Sequence, residues 1–165
     1  MSKPLPYSTW CYVCGKDNPL GLRIVFRTEG EGEAVVAEFT ADDRRQGYPG
    51  RVHGGIVCAL LDETMGWSPT LLTRRMCVTA ELNVRFVKPA PAGKLLRVIG
   101  RCVDASRRLY ATEGQVLVSA TGEVVARATG KYSPLTEGET AAVDRLLIYD
   151  PETLRVFARE PGDGR

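Results

Sequence analysis

Apolar residues dominate two short runs, residues 22–27 and 34–39, which read as extended segments with the turn-forming Glu29-Gly30-Glu31-Gly32 between them. Residues 41–51 carry Gly47, Pro49 and Gly50 and are expected to form a loop. From 54 to 67 the period becomes helical. At about 100° per residue, Ile56, Val57, Cys58, Leu60, Leu61, Thr64, Met65 and Trp67 cover most of the circumference. Only a narrow wedge remains, holding Ala59, Asp62, Glu63 and Gly66. A helix apolar on almost every side is buried on almost every side. Pro69 is expected to end or kink it. The period then falls to two over residues 78–87. Val78, Ala80, Leu82, Val84 and Phe86 share one face, and Thr79, Glu81, Asn83 and Arg85 the other, as in a half-buried strand. Residues 95–103, 109–119 and 124–132 give three more strands, joined by hairpin turns at 104–108 and 121–122. The order strand, strand, long buried helix, four strands predicts an α+β fold, one helix wrapped by a curved antiparallel sheet. The expected domain covers 21–135. An irregular segment, 1–20, precedes it, and a charged extension, 136–165, with a short helix near 141–148, follows.

Composition narrows the function. The 165 residues suffice for one domain with its own core, and 44% hydrophobic with 25% charged residues is ordinary for a globular protein. A formal net charge of +2 gives no nucleic-acid footprint. The local pairs Arg44-Arg45, Arg74-Arg75 and Arg107-Arg108 leave room for a small phosphorylated ligand. No run approaches a membrane span, and residues 1–10 lack the apolar stretch of a signal peptide. Five cysteines without framework spacing suggest reduced thiols, so a cytoplasmic location is expected. Cys11-x-x-Cys14-Gly15 has the form of half a zinc knuckle, but no second pair exists, and Cys58, Cys77 and Cys102 fall in elements expected to be buried. Neither a metal nor any other cofactor is expected.

The candidate chemistry lies between Tyr48 and Glu63. Gly54 and Gly55 open the helix, where free N–H groups and the positive dipole end favour an anion. Without Cβ atoms they let a ligand oxygen approach the backbone, as an oxyanion hole requires; the bland alternative is a plain turn. Asp62 is a carboxylate on a buried helix, costly unless paired or used. It is a candidate general base for water, or a nucleophile. Glu63, about 100° away around the helix, ranks second and has a structural ion pair as its alternative. His53 at the helix start either has a structural role there or transfers protons. Asp62 lies seven or eight residues beyond the glycines, roughly 10–12 Å along the helix axis. One reacting carbonyl must sit about 3 Å from both groups. A two-fold dimer, with the glycine N–H of one chain facing Asp62 of the other, meets that requirement.

His53-Gly54-Gly55 followed by Leu61-Asp62-Glu63 resembles the hotdog thioesterases of the phenylacetate-degradation type. The resemblance extends to Cys11-x-x-Cys14-Gly15 with Asn18-Pro19-x-Gly21-Leu22, to Gln46-Gly-Tyr-Pro-Gly50 and to Thr79-Ala-x-Leu-Asn83, covering most of residues 11–133. It implies a hotdog fold, a homodimer or homotetramer, and an acyl-CoA substrate hydrolysed to free acid and CoA. By the same resemblance Asp62, nine positions after His53, does the chemistry, Gly55 or Gly54 supplies the oxyanion N–H, and Thr79 holds the attacking water or orients the carboxylate. Two positions depart from relatives. Gly47 stands where some carry Gln or Asn, with Gln46 one residue off as a substrate contact, and Gly66 stands where others carry Thr. Arg107 and Arg108 are candidate contacts for the CoA phosphates, against the alternative of solvated turn residues. A non-catalytic acyl-binding module is the competing reading. A hydratase is the lesser one, because Gly15-Lys-Asp17-Asn18-Pro19 lacks the histidine that should follow.

Overall fold

A computed structural model describes residues 2–30 and 34–157. Glu31 and Gly32 of the expected turn, and the last eight residues of the C-terminal extension, lie outside the described residues. The elements in chain order are β1 (Tyr7–Ser8), β2 (Arg27–Glu29), β3 (Ala34–Thr40), a short 3-10 turn (Asp43–Arg45), α1 (Gly54–Thr73), β4 (Cys77–Phe86), β5 (Leu95–Asp104), β6 (Tyr110–Val118), β7 (Glu123–Pro134), α2 (Glu137–Asp144) and β8 (Leu147–Ile148). Six strands form one antiparallel sheet in the order β2-β3-β5-β6-β7-β4, and β1 pairs with β8 separately. The long helix α1 packs across one face of the curved six-stranded sheet, most extensively on β5 and β6.

Glycines let helix and sheet approach closely. A Cβ on Gly100 in β5 would lie 2.7 Å from the Thr64 carbonyl oxygen, and one on Gly114 in β6 would lie 2.6 Å from the Met65 sulfur. These two glycines face each other across β5 and β6, so Met65 seats in a notch that spans both strands. Leu60, Leu61 and Met65 of α1 are fully buried there against Leu96, Val98, Val116 and Val125.

Four expectations are corrected. First, α1 runs on to Thr73 instead of ending after Trp67. Pro69 lacks the N–H that would bond the Met65 carbonyl, but the Ser68 hydroxyl donates to that oxygen at 2.7 Å. The turn is thereby satisfied, and the helix closes only at Arg74, in left-handed conformation with its N–H on the Thr70 carbonyl.

Second, residues 22–26 are extended, with Leu22, Ile24 and Phe26 buried, but they do not join the six-stranded sheet. Their backbone pairs with the N-terminal segment through Leu22 N–H to the Tyr12 carbonyl, Ile24 N–H to that of Val13, and Leu5 N–H to that of Phe26. Leu5, Val13 and Cys14 are thereby drawn into the core.

Third, β4 is an edge strand with only β7 beside it, and its apolar residues are poorly covered: Val78 is 50% exposed and Phe86 53%. A bulge also interrupts its alternation. Thr79 pairs with Tyr132 and Glu81 with Lys131, leaving Ala80 as an extra residue. The side-chain parity reverses there, so Thr79 shares a face with Leu82, Val84 and Phe86.

Fourth, the C-terminal helix begins at Glu137, before the expected 141. Thr136 and Glu139 form a reciprocal capping box, each side chain bonding the other's backbone N–H. Among the described residues, no helix is long and apolar enough to cross a membrane.

Candidate active site

Asp62 sits partly buried in the third turn of α1, facing β4 and β7. The Thr79 hydroxyl donates to Asp62 Oδ1 at 2.7 Å, and the Tyr132 hydroxyl lies 3.2 Å from the same oxygen and 2.9 Å from the Asp62 carbonyl. The bulge at Ala80 turns Thr79 toward the helix. Cross-strand pairing then sets Tyr132 directly beside Thr79. Burial, with the Asp62 charge adding to it, pushes the Tyr132 phenol up, so it remains a donor. Two hydroxyls fix the carboxylate by one oxygen. Oδ2 has no hydrogen-bond partner among the described residues, and it is the atom available to water or substrate.

Tyr132 was not among the sequence candidates. Its ring passes between Gly66 and Gly130: a Cβ on Gly66 would stand 3.1 Å from the ring, and one on Gly130 2.8 Å. The departure noted at Gly66 thus makes space for a hydroxyl delivered from β7. The only sequence signal was position, an aromatic at the end of an alternating strand.

At the helix start His53 is the N-cap, its Nδ1 accepting from the Gly55 N–H at 3.0 Å. This contact makes Nδ1 an acceptor, the structural alternative for His53. The Ile56 N–H bonds the His53 carbonyl at 3.0 Å. The Gly54 N–H has no partner among the described residues. Gly54 borders a groove of about 470 Å³ lined by Tyr48, His53, Val57, Phe86 and Val125. Of the two glycines, Gly54 therefore presents the unused donor.

The remaining candidates fall elsewhere. Gln46 is held in its own loop, its Oε1 taking the Gly50 N–H and its amide nitrogen donating to Asp43 at 2.6 Å. Arg107 and Arg108 lie exposed in the hairpin between β5 and β6, with Arg107 3.3 Å from Asp104. Thr79, Tyr132 and Tyr110 form one cross-strand row, so that hairpin projects beyond the end of the sheet nearest Asp62. Glu63 turns away from Asp62 toward the N-terminal segment, where Cys11 Sγ donates to its Oε2 at 3.3 Å. Burial, with Cys11 adding to it, pushes the Glu63 carboxyl up. No ion pair engages it among the described residues.

Comparison with known proteins agrees with this architecture. A family model described as the thioesterase superfamily matches residues 49–125, which include the helix start, Asp62 and Thr79. Acyl-coenzyme A thioesterase THEM4 of Bos taurus is 29% identical over 80 residues, covering 48% of this chain and 32% of that protein. An uncharacterised protein of Schizosaccharomyces pombe is 29% identical over 91 residues, covering 54% of this chain and 51% of its own length. The chain thus spans about half or less of these curated relatives. A crystal structure of a thioesterase superfamily protein superposes with a TM-score of 0.68 at 27% identity, covering 75% of this chain and 60% of the other. The fold also matches a Streptococcus mutans protein bound to acetyl CoA, with a TM-score of 0.59 at 23% identity over 68% of this chain and 88% of the other. With one long helix on a curved antiparallel sheet and a glycine pair opening that helix, the chain has the hotdog fold, and its residues 49–125 are similar to the thioesterase superfamily.

Proposed function

We propose that this protein hydrolyses acyl-CoA thioesters in a site shared between two copies of the chain, in the manner of the phenylacetate-degradation type it resembles. The observation that carries the reading is the Asp62 carboxylate, oriented by two hydroxyls on one oxygen and open on the other. In the general-base form Asp62 takes a proton from water as its oxygen adds to the thioester carbonyl. The oxyanion is stabilised by the Gly54 N–H, the C–S bond breaks, and the CoA sulfur leaves and is protonated. In the nucleophilic form Asp62 attacks first, and water then releases the acid from the mixed anhydride. Either form needs both Asp62 and the helix N-terminus at one carbonyl.

Along one α1 these groups are roughly 10–12 Å apart, which supports assembly about a two-fold axis. The exposed edge and poorly covered apolar face of β4, next to Thr79, supply a surface suited to such a partner copy. The hairpin carrying Arg107 and Arg108 is a candidate for the CoA phosphates. Relatives described as an acyl-CoA thioesterase and as bound to acetyl CoA support that substrate class.

The test is thiol release from short, medium, long and aromatic acyl-CoAs. Release by the native protein, reduced about 100-fold or more in Asp62→Asn, is the expected result. Folded Asp62→Asn with undiminished release would remove Asp62 from the mechanism. Binding without release by the native protein would make this an acyl-binding module.

A further inference from the structure

On the flank of α1 that carries Glu63, about 100° around from Asp62, three side chains from distant parts of the chain converge. Cys11 and Cys14 come from the N-terminal turn and Glu63 from α1, and their ligand atoms all lie within 4.8 Å of one another. We propose that Cys11, Cys14 and Glu63 bind a zinc ion that clamps the N-terminal turn onto α1, one residue past Asp62.

Zinc takes thiolate sulfur at about 2.3 Å and carboxylate oxygen at about 2.0–2.2 Å. In a tetrahedral site those lengths separate a sulfur from an oxygen by about 3.5 Å. Cys11 Sγ and Glu63 Oε2 stand 3.3 Å apart.

The Val13 N–H points at Cys11 Sγ at 3.3 Å, and the Gly15 N–H bonds the Cys11 carbonyl at 2.9 Å. A Cβ at residue 15 would lie 2.4 Å from that carbonyl, so the tight turn accepts only glycine. A backbone amide aimed at sulfur favours the thiolate, the form a metal requires.

Cys14 is buried and Cys11 and Glu63 are partly so, yet no lysine or arginine among the described residues pairs with any of the three. Two thiols and a carboxyl packed together can all ionise only if a cation joins them. Two sulfurs with one carboxylate suit zinc and not magnesium or calcium. The partly exposed side of Cys11 leaves the fourth position to water.

Fifty-two positions separate Cys11 from Glu63. A metal joining them ties the segment that covers residues 22–26 to the helix that carries Asp62. The inference does not depend on the thioesterase reading, since its readout is metal content.

The test uses the full chain, reduced, incubated with zinc, desalted and assayed for metal by atomic emission. Cobalt substitution then reads thiolate-to-metal charge transfer in the near ultraviolet. One zinc per chain and a charge-transfer band are expected, both lost in Cys11→Ser and Cys14→Ser and both kept in Cys58→Ser and Cys102→Ser. Should Cys14→Ser fail to fold, the near-isosteric Glu63→Gln still decides: zinc affinity should fall about 10-fold or more. Absence of bound zinc in the reduced native protein overturns the proposal. So does zinc retained by the Cys11→Ser/Cys14→Ser double variant, unchanged affinity in Glu63→Gln, or a Cys11–Cys14 disulfide in place of metal.

Discussion

The start of α1 and its third turn present two different kinds of chemistry. In the proposed site the backbone supplies the chemistry at the helix start: the Gly54 N–H is unused, the His53 ring caps the neighbouring Gly55 N–H, and the absence of Cβ atoms keeps the approach open. In the third turn side chains do it. Asp62 is aimed by Thr79 from β4 and Tyr132 from β7, residues 17 and 70 positions away in sequence. The first arrangement is local, so it survives wherever the helix forms. The second exists only when the sheet closes around the helix with β4 in its bulged register. A donor fixed by backbone and a carboxylate fixed by tertiary structure should respond differently to substitution.

Asp62→Asn should produce the largest loss, about 100-fold or more in kcat, with the fold intact. Gly54→Pro should rival it. Proline is tolerated at the first helical position, and His53 already has the extended backbone (φ −61°, ψ 133°) that a residue before proline prefers. The substitution therefore keeps the helix but deletes the N–H and sets a ring in the open approach beside Phe86, where a Cβ would lie 3.4 Å away. Losing an oxyanion donor costs about 10²–10³-fold in kcat, and an unchanged melting temperature would show that the loss is local to the helix start. An active Gly54→Pro would break the comparison by showing that the helix start contributes no donor.

Tyr132→Phe and Thr79→Val should each cost less. A hydrogen bond to a charged group is worth about 1.5–3 kcal/mol, so each loss should lower kcat by about 10–100-fold, while KM changes little. If either variant shifted KM alone, that hydroxyl would be binding substrate and not aiming Asp62. His53→Ala should have the smallest effect. Removing a helix cap costs about 1 kcal/mol of stability, readable in a urea melt, with a rate loss below about 10-fold. A collapse of kcat at normal stability would instead give His53 a proton-transfer role.

The same contrast explains what was legible in the sequence. The glycine pair, the helix buried on nearly all sides and the carboxylate on it follow from local pattern, because local pattern is what positions them. The succession of strands along the chain followed from alternation and turns, and five of the six sheet strands were anticipated where they lie, within a residue or two at most ends. Thr79 was assigned to the wrong face because strict alternation was carried through Ala80, where one extra residue reverses parity. Nothing in the side chain of Ala80 announces a bulge. Tyr132 and Glu63 were placed by tertiary contact, which period and spacing do not encode. Cys11 and Cys14 lacked a second pair in sequence, yet α1 delivers Glu63 to them from 52 positions away. The continuation of α1 through Pro69 depended on one hydroxyl, Ser68, taking the place of a missing N–H.

The central claim is that Asp62 and the Gly54 N–H act on one carbonyl from different chains. Mixing Asp62→Asn with Gly54→Pro tests it most directly. In a shared site, each mixed dimer holds one doubly damaged site and one intact site. Equal mixing with free subunit exchange should then recover about a quarter of native activity from two nearly inactive proteins. No recovery, with mixed dimers verified by native mass spectrometry, would place both groups in one chain and contradict the account.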